Sequence, residues 1–186
     1  MKHLKFVERL VSLSECFSSL FSDTIRLYYD EKIEFNSSLI EHGKQLSFVL
    51  SFLCRDVFHL SIETIHLFRD IDSGNISFTC FFSSKDKSLI LARIAFNTNG
   101  SLFYNLRYFE QVFANPLKSS FENGLYSSSS SAIIRKLVNF YYMVTCHELS
   151  HNIYTNHDLN FINCLQRVSV QFMDGKDRFL NSFSFR

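Results

Sequence analysis

The chain has 186 residues, 46% hydrophobic and 20% charged, with a formal net charge of +1. That is enough to bury a core, and with no run of Lys or Arg there is no phosphate-tracking stripe, so nucleic acid is not an expected partner. No window approaches the roughly eighteen apolar residues a membrane-spanning helix requires, so no membrane association is expected.

Twenty-two Phe and eight Tyr, with no Trp, predict a core of phenyl rings. They also predict a surface partly covered by other domains or chains of a larger assembly. Five cysteines, an odd number without a CxxC, point to buried thiols in an intracellular setting, cytoplasmic or nuclear.

In chain order, Leu4, Val7, Leu10, Val11, Phe17 and Leu20 give an amphipathic helix over 3–21, in which Glu8, Arg9 and Glu15 interrupt any signal-peptide core. Residues 24–35 either extend that helix or form a short strand. A second helix is predicted over 37–58, with Ser37 or Ser38 as its N-cap. Together these make 1–60 an N-terminal helical part.

The period then changes. Residues 64–70, 75–82, 88–96 and 101–109 are short runs of β-branched and aromatic residues separated by turn chemistries. NTNG (97–100) is the clearest hairpin signal. A small, largely antiparallel sheet follows, opening an α+β part over 61–186 that packs with the N-terminal part as one compact domain. Residues 114–131, with the only proline and a run of five serines, read as a loop, or as a flap beside a site. From Ala132 an almost uniformly apolar helix is predicted, buried at the centre. Residues 158–172 return to helical spacing with Asp158 as cap, and the tail has no clear period.

The central helix ends in CHELSHNIYTNHD (146–158), which holds three of the chain's seven histidines. His147 and His151, at i and i+4, lie about 40° apart on one helix face and roughly 6 Å apart along the axis. Two imidazoles so placed can converge on one Zn2+ at about 2.1 Å. Glu148 stands where a carboxylate can act as general base on a water at the metal. His157 is the candidate third ligand. In an unbroken helix it would lie about 15 Å beyond His147, so the helix must stop after His151 and turn back. Asn152, Thr155 and Asn156 favour such a stop, because asparagine tolerates the left-handed conformation. Asp158 is an alternative third ligand or a group orienting His157; as a helix cap it needs no metal. Cys146 points about 100° away from His147 and reads as a buried thiol. His42, His59 and His66 read as surface or packing residues, and Arg107 and Tyr108 as remote candidates for an oxyanion partner.

HELSHNIYTNH resembles the H-E-x-x-H-x-x-x-x-x-H motif of metzincin-like zinc peptidases, and Asp158 with Phe161 extends the likeness to the H-D-x-x-F ending of WLM-type metallopeptidases. CHELSHN, with the strand pair IAFNTNGSLFYNLRYF before it, is also similar to the C-terminal HELAHN segment of large fungal and other eukaryotic proteins with a sacsin-like, GHKL-type ATPase region. The resemblance covers about residues 60–172. It implies His147, His151 and His157 as zinc ligands, Glu148 as general base, a metzincin-like α+β fold and a peptide or protein substrate. Met173 is the candidate for a methionine turn beneath the metal. Metzincins usually carry glycine where this chain has Tyr154; a left-handed Tyr154 would cost on the order of 1–2 kcal/mol unless the turn shifts to Asn152 or Asn156. Two functions are therefore expected: a zinc-dependent metallopeptidase-like hydrolase, or a non-catalytic zinc-stabilised binding or scaffold module of a sacsin-like assembly.

Overall fold

The structure, a computed structural model, describes residues 11–12, 25–29, 36–69, 94–98 and 100–185. Most of the expected first helix, the run 75–82 and residues 88–93 lie outside them. Where 3–21 is described, it is extended rather than helical: β1 (Val11–Ser12) pairs antiparallel with β2 (Arg26–Tyr29), Val11 opposite Leu27. Strand pairing overrides the local helical period there.

Helix α1 (Ser37–Asp56) forms as its spacing predicts, burying Leu39, Gly43, Leu46, Leu50 and Leu53. Its N-cap is Asn36 rather than Ser37 or Ser38; the Asn36 Oδ1 accepts from Leu39 N at 2.9 Å. At its other end His59 takes φ 56°, and Leu60 N reaches back to Cys54 O at 2.9 Å, the bond that closes a left-handed helix end.

After a short 3-10 turn (Ile62–Thr64) come β3 (Ile65–Arg69), β4 (Ala95–Thr98) and β5 (Ser101–Asn105). The described strands stand in the order β1-β2-β3-β5-β4. The sheet is mixed, not largely antiparallel: β2 with β3 and β3 with β5 are parallel, while β1 with β2 and β4 with β5 are antiparallel. The reason is connectivity. Helix α1 carries the chain from β2 to β3, and a crossover of that length returns a strand in the same direction. NTNG makes the expected hairpin, with Thr98 opposite Ser101 and Gly100 at φ 80°.

One sheet face presents Leu27, Ile65, Leu67, Leu102 and Tyr104, all essentially fully buried, against α1 and the central helix. The other face carries an aromatic ladder in which Phe96 stacks on Phe103, with centroids 4.7 Å apart.

The run 101–109 is strand only to Asn105, whose Oδ1 accepts from Arg107 N at 3.0 Å and caps a helix. From there α2 (Leu106–Phe109), a π turn (Glu110–Ala114) and α3 (Asn115–Glu122) run on with helical backbone at each junction. Leu106, Phe109, Phe113 and Leu117 recur at helical spacing on the buried side. Pro116 has no amide to donate to Val112, so it sits where the π turn has already broken the ladder.

The segment 114–131 is thus helix and pinned turn rather than loop. Ser120 Oγ lies 2.7 Å from Ser131 Oγ and donates to Leu125 O. The Ser128 hydroxyl bonds the Leu180 carbonyl, and its amide donates to Phe183 O at 3.0 Å.

Ser131 caps the central helix α4 (Ala132–Ser150), followed by α5 (Leu159–Gln171) and α6 (Met173–Ser182). Helix α4 buries Ile134, Leu137, Val138, Tyr141 and Val144, and one core cluster runs from Ile25 to Phe183. Cys54, Cys146 and Cys164 are free and buried. Among the described residues no helix is long and apolar enough to cross a membrane.

Candidate metal centre

Helix α4 is fixed from its buried side. Thr145 Oγ1 bonds both Tyr141 O (2.7 Å) and Tyr104 OH (2.8 Å), so β5 holds the helix two residues before His147. The Tyr142 hydroxyl donates to Ser169 O, which ties α5 alongside. Asn97 on β4 donates to Glu148 O at 3.0 Å and to Asn152 Oδ1 at 2.9 Å, latching the end of α4 to the hairpin.

The helix stops at His151 without any left-handed residue. Asn152 N bonds Leu149 O and Ile153 N bonds Ser150 O, tight i to i+3 bonds that close the last turn. Among the described residues the only positive φ outside glycine is at His59, so Tyr154 carries no left-handed strain and neither Asn152 nor Asn156 takes it over. Expecting an asparagine to end the helix in that way was wrong. A short tight turn does it instead, and glycine at 154 is not needed.

This turn brings His157 back. His147 Nε2 lies 3.1 Å from His151 Nε2 and 3.2 Å from His157 Nε2. All three ligand atoms lie within 4.8 Å of one another. Imidazole nitrogens sharing a tetrahedral ion at 2.0–2.1 Å would stand about 3.3–3.4 Å apart, so both distances from His147 fall within a few tenths of an ångström of that spacing. The tautomer fits as well: His151 Nδ1 lies 3.1 Å from Tyr154 O, a contact only Nδ1–H can make, which leaves the Nε2 lone pair facing the other two rings.

Phe161 is buried beneath all three imidazoles, with ring centroids 4.6–5.0 Å away. It walls the site on one side, while His157 is exposed on the other. The carbonyl end of α4 adds partial negative charge, which favours a cation there.

Electrostatics point the same way. Burial, and then the neighbouring His151 and His157, lower the His147 pKa to about 4. Burial also lowers that of His151. At neutral pH both are therefore neutral, the form a metal requires.

Glu148 is buried at 7% exposure. Its charge is felt at Tyr104, whose phenol is pushed well above its ordinary pKa, chiefly by burial. Asp158 caps α5, with Oδ1 accepting from Phe161 N at 3.0 Å. Met173 opens α6 at the far end of α5, about 20 Å of helix from Asp158. Cys146 faces Ser169 and Tyr142, away from the imidazoles, and burial raises its pKa. Tyr108 stacks on Phe140 at 4.8 Å, about 10 Å of helix before His147. Arg107 is buried beside it in the chain. His42 bonds Glu110 and His66 stacks near Phe103.

Asn97 and the Tyr154 carbonyl escaped sequence reasoning, because each acts through a contact made only after folding. Phe161 was visible only as the last letter of a motif. No protein-family model, no curated protein and no solved structure matches the chain.

Proposed function

We propose that the chain is a zinc-dependent metallopeptidase-like hydrolase, with His147, His151 and His157 as ligands and Glu148 as general base. One observation carries the reading: the Nε2 atoms of His151 and His157 lie 3.1 and 3.2 Å from that of His147, at the end of a buried helix. The same helix carries a carboxylate one residue after His147.

Zinc held there would supply Lewis acidity, polarising a peptide carbonyl and lowering the pKa of a water. The rest falls to the chain. Tyr154 O fixes the orientation of His151, Phe161 keeps water from the ring faces, and His157 leaves the outer side open to substrate. Glu148 would take a proton from the attacking water on its carboxylate and pass it to the leaving amine.

Burial of Glu148 favours a second reading, a zinc-stabilised binding module within a larger assembly. A quenched-fluorescence peptide library separates the two. The hydrolase reading predicts cleavage by the zinc-loaded wild type and a drop of at least about a hundredfold in Glu148→Gln at unchanged zinc content. Equal cleavage by both, or none by either, would overturn it.

A further inference from the structure

A groove of about 680 Å³ runs beside α4 without reaching the histidines. Its lining includes Ser129, Ser130, Arg135, Lys136, Asn139 and Met143. Lys136, Asn139 and Met143 are spaced by three and four residues, so they share one helix face, and His147, four residues beyond Met143, continues it. Arg135 and Lys136 are exposed, and neither has an ionic partner among the described residues. No carboxylate lines the groove, and Met143, 47% exposed, gives it an apolar stretch between the cations and the triad.

From this geometry we infer that the groove is an extended substrate subsite that binds an acidic peptide segment, with its anionic side chains on Arg135 and Lys136. The inference rests on the hydrolase reading for the chemistry at the far end, but binding in the groove needs only the groove. The helix spacing sets the register. Lys136 and His147 are eleven residues apart, about 16 Å along the helix. An extended peptide covers that in about five residues. The preferred substrate therefore carries Asp, Glu or a phosphorylated residue about five positions from the bond that is cut. The net charge of +1 hides this site, because its positive charge is local.

The test uses the full chain, zinc-loaded and carrying Glu148→Gln so that bound peptide stays intact. Fluorescein-labelled peptides with a central Leu-Phe pair carry Asp-Asp, phosphoserine, Ser-Ser or Lys-Lys about five residues to either side, and anisotropy reads binding at low salt. Asp-Asp and phosphoserine peptides should bind about tenfold tighter than Ser-Ser in one of the two registers. High salt and the double variant Arg135→Glu/Lys136→Glu should each abolish that advantage. The milder Arg135→Gln/Lys136→Gln pair should reduce it, and zinc content reports that each variant is folded.

Equal binding of all peptides, or an advantage that survives charge reversal, would overturn the assignment. So would an oligodeoxythymidine that displaces the acidic peptide and depends more strongly on the same cations. Cleavage by the chain with native Glu148 separates the two readings. Binding without cleavage removes the hydrolase and leaves the groove, whereas cleavage with no acidic preference does the reverse.

Discussion

At the scale of single residues the site depends on Phe161 and on the neutral state of His147. Phe161→Ala should leave a cavity under three imidazoles, costing about 3–4 kcal/mol in a urea melt and weakening zinc binding by roughly tenfold or more, as loss of a supporting contact does. An unchanged zinc affinity would show that the rings hold their positions without it.

His147 has a folded pKa of about 4, lowered by burial, against about 6.5 in an unfolded chain. Between those values the unfolded chain binds more protons, so the stability of the metal-free protein is complete above pH 6.5 and falls as pH drops toward 4. Chelator-treated protein should lose on the order of 1–2 kcal/mol between pH 7.5 and pH 5, a figure discounted for solvent at the site. His147→Asn should flatten that slope. A slope kept in the variant would assign the effect to other groups.

At the scale of elements, two helix ends make separable predictions. His59 is exposed at φ 56° at the end of α1, so His59→Gly should stabilise the fold by about 0.5–1 kcal/mol in a thermal melt. A destabilised variant would show that the His59 side chain contributes more than its backbone costs. Asp158→Ala should cost about 1 kcal/mol by removing the α5 cap, and should lower zinc affinity because His157 stands next to that cap.

These elements also show what the sequence made legible. Local signals were readable: the NTNG hairpin, α1, α4, Asp158 as cap and the i to i+4 pair of histidines all follow from neighbours in the chain. The parallel pairing of β3 with β2 and β5 was not, because it depends on a crossover rather than on local pattern. The helix over 106–122 was hidden for a different reason. Its aromatic residues crowd the run before it, so Leu106, Phe109, Phe113 and Leu117 did not stand out as one face. The serines of 127–131 looked like a loose loop because their partners, Leu180 and Phe183, lie some fifty residues on.

At the scale of the whole molecule, the candidate ligands add a second join between parts already tied by single hydrogen bonds, such as Tyr142 to Ser169 between α4 and α5. His147 lies in the last turn of α4, His151 caps that helix, His157 lies in the turn into α5, and Asn97 ties the end of α4 to the sheet. A metal bound only by the folded form adds its binding free energy to stability, about 2.7 kcal/mol at a hundredfold excess over Kd. Zinc should accordingly raise the melting temperature by several degrees, and chelator should reverse the gain.

The central claim is that these three histidines hold zinc, and elemental analysis tests it most directly. Wild type, His151→Ala and Glu148→Gln would be purified side by side without chelator. The account predicts about one zinc per chain in wild type and in Glu148→Gln, and none in His151→Ala. Wild-type protein that carries no zinc, even after zinc is added, would contradict it.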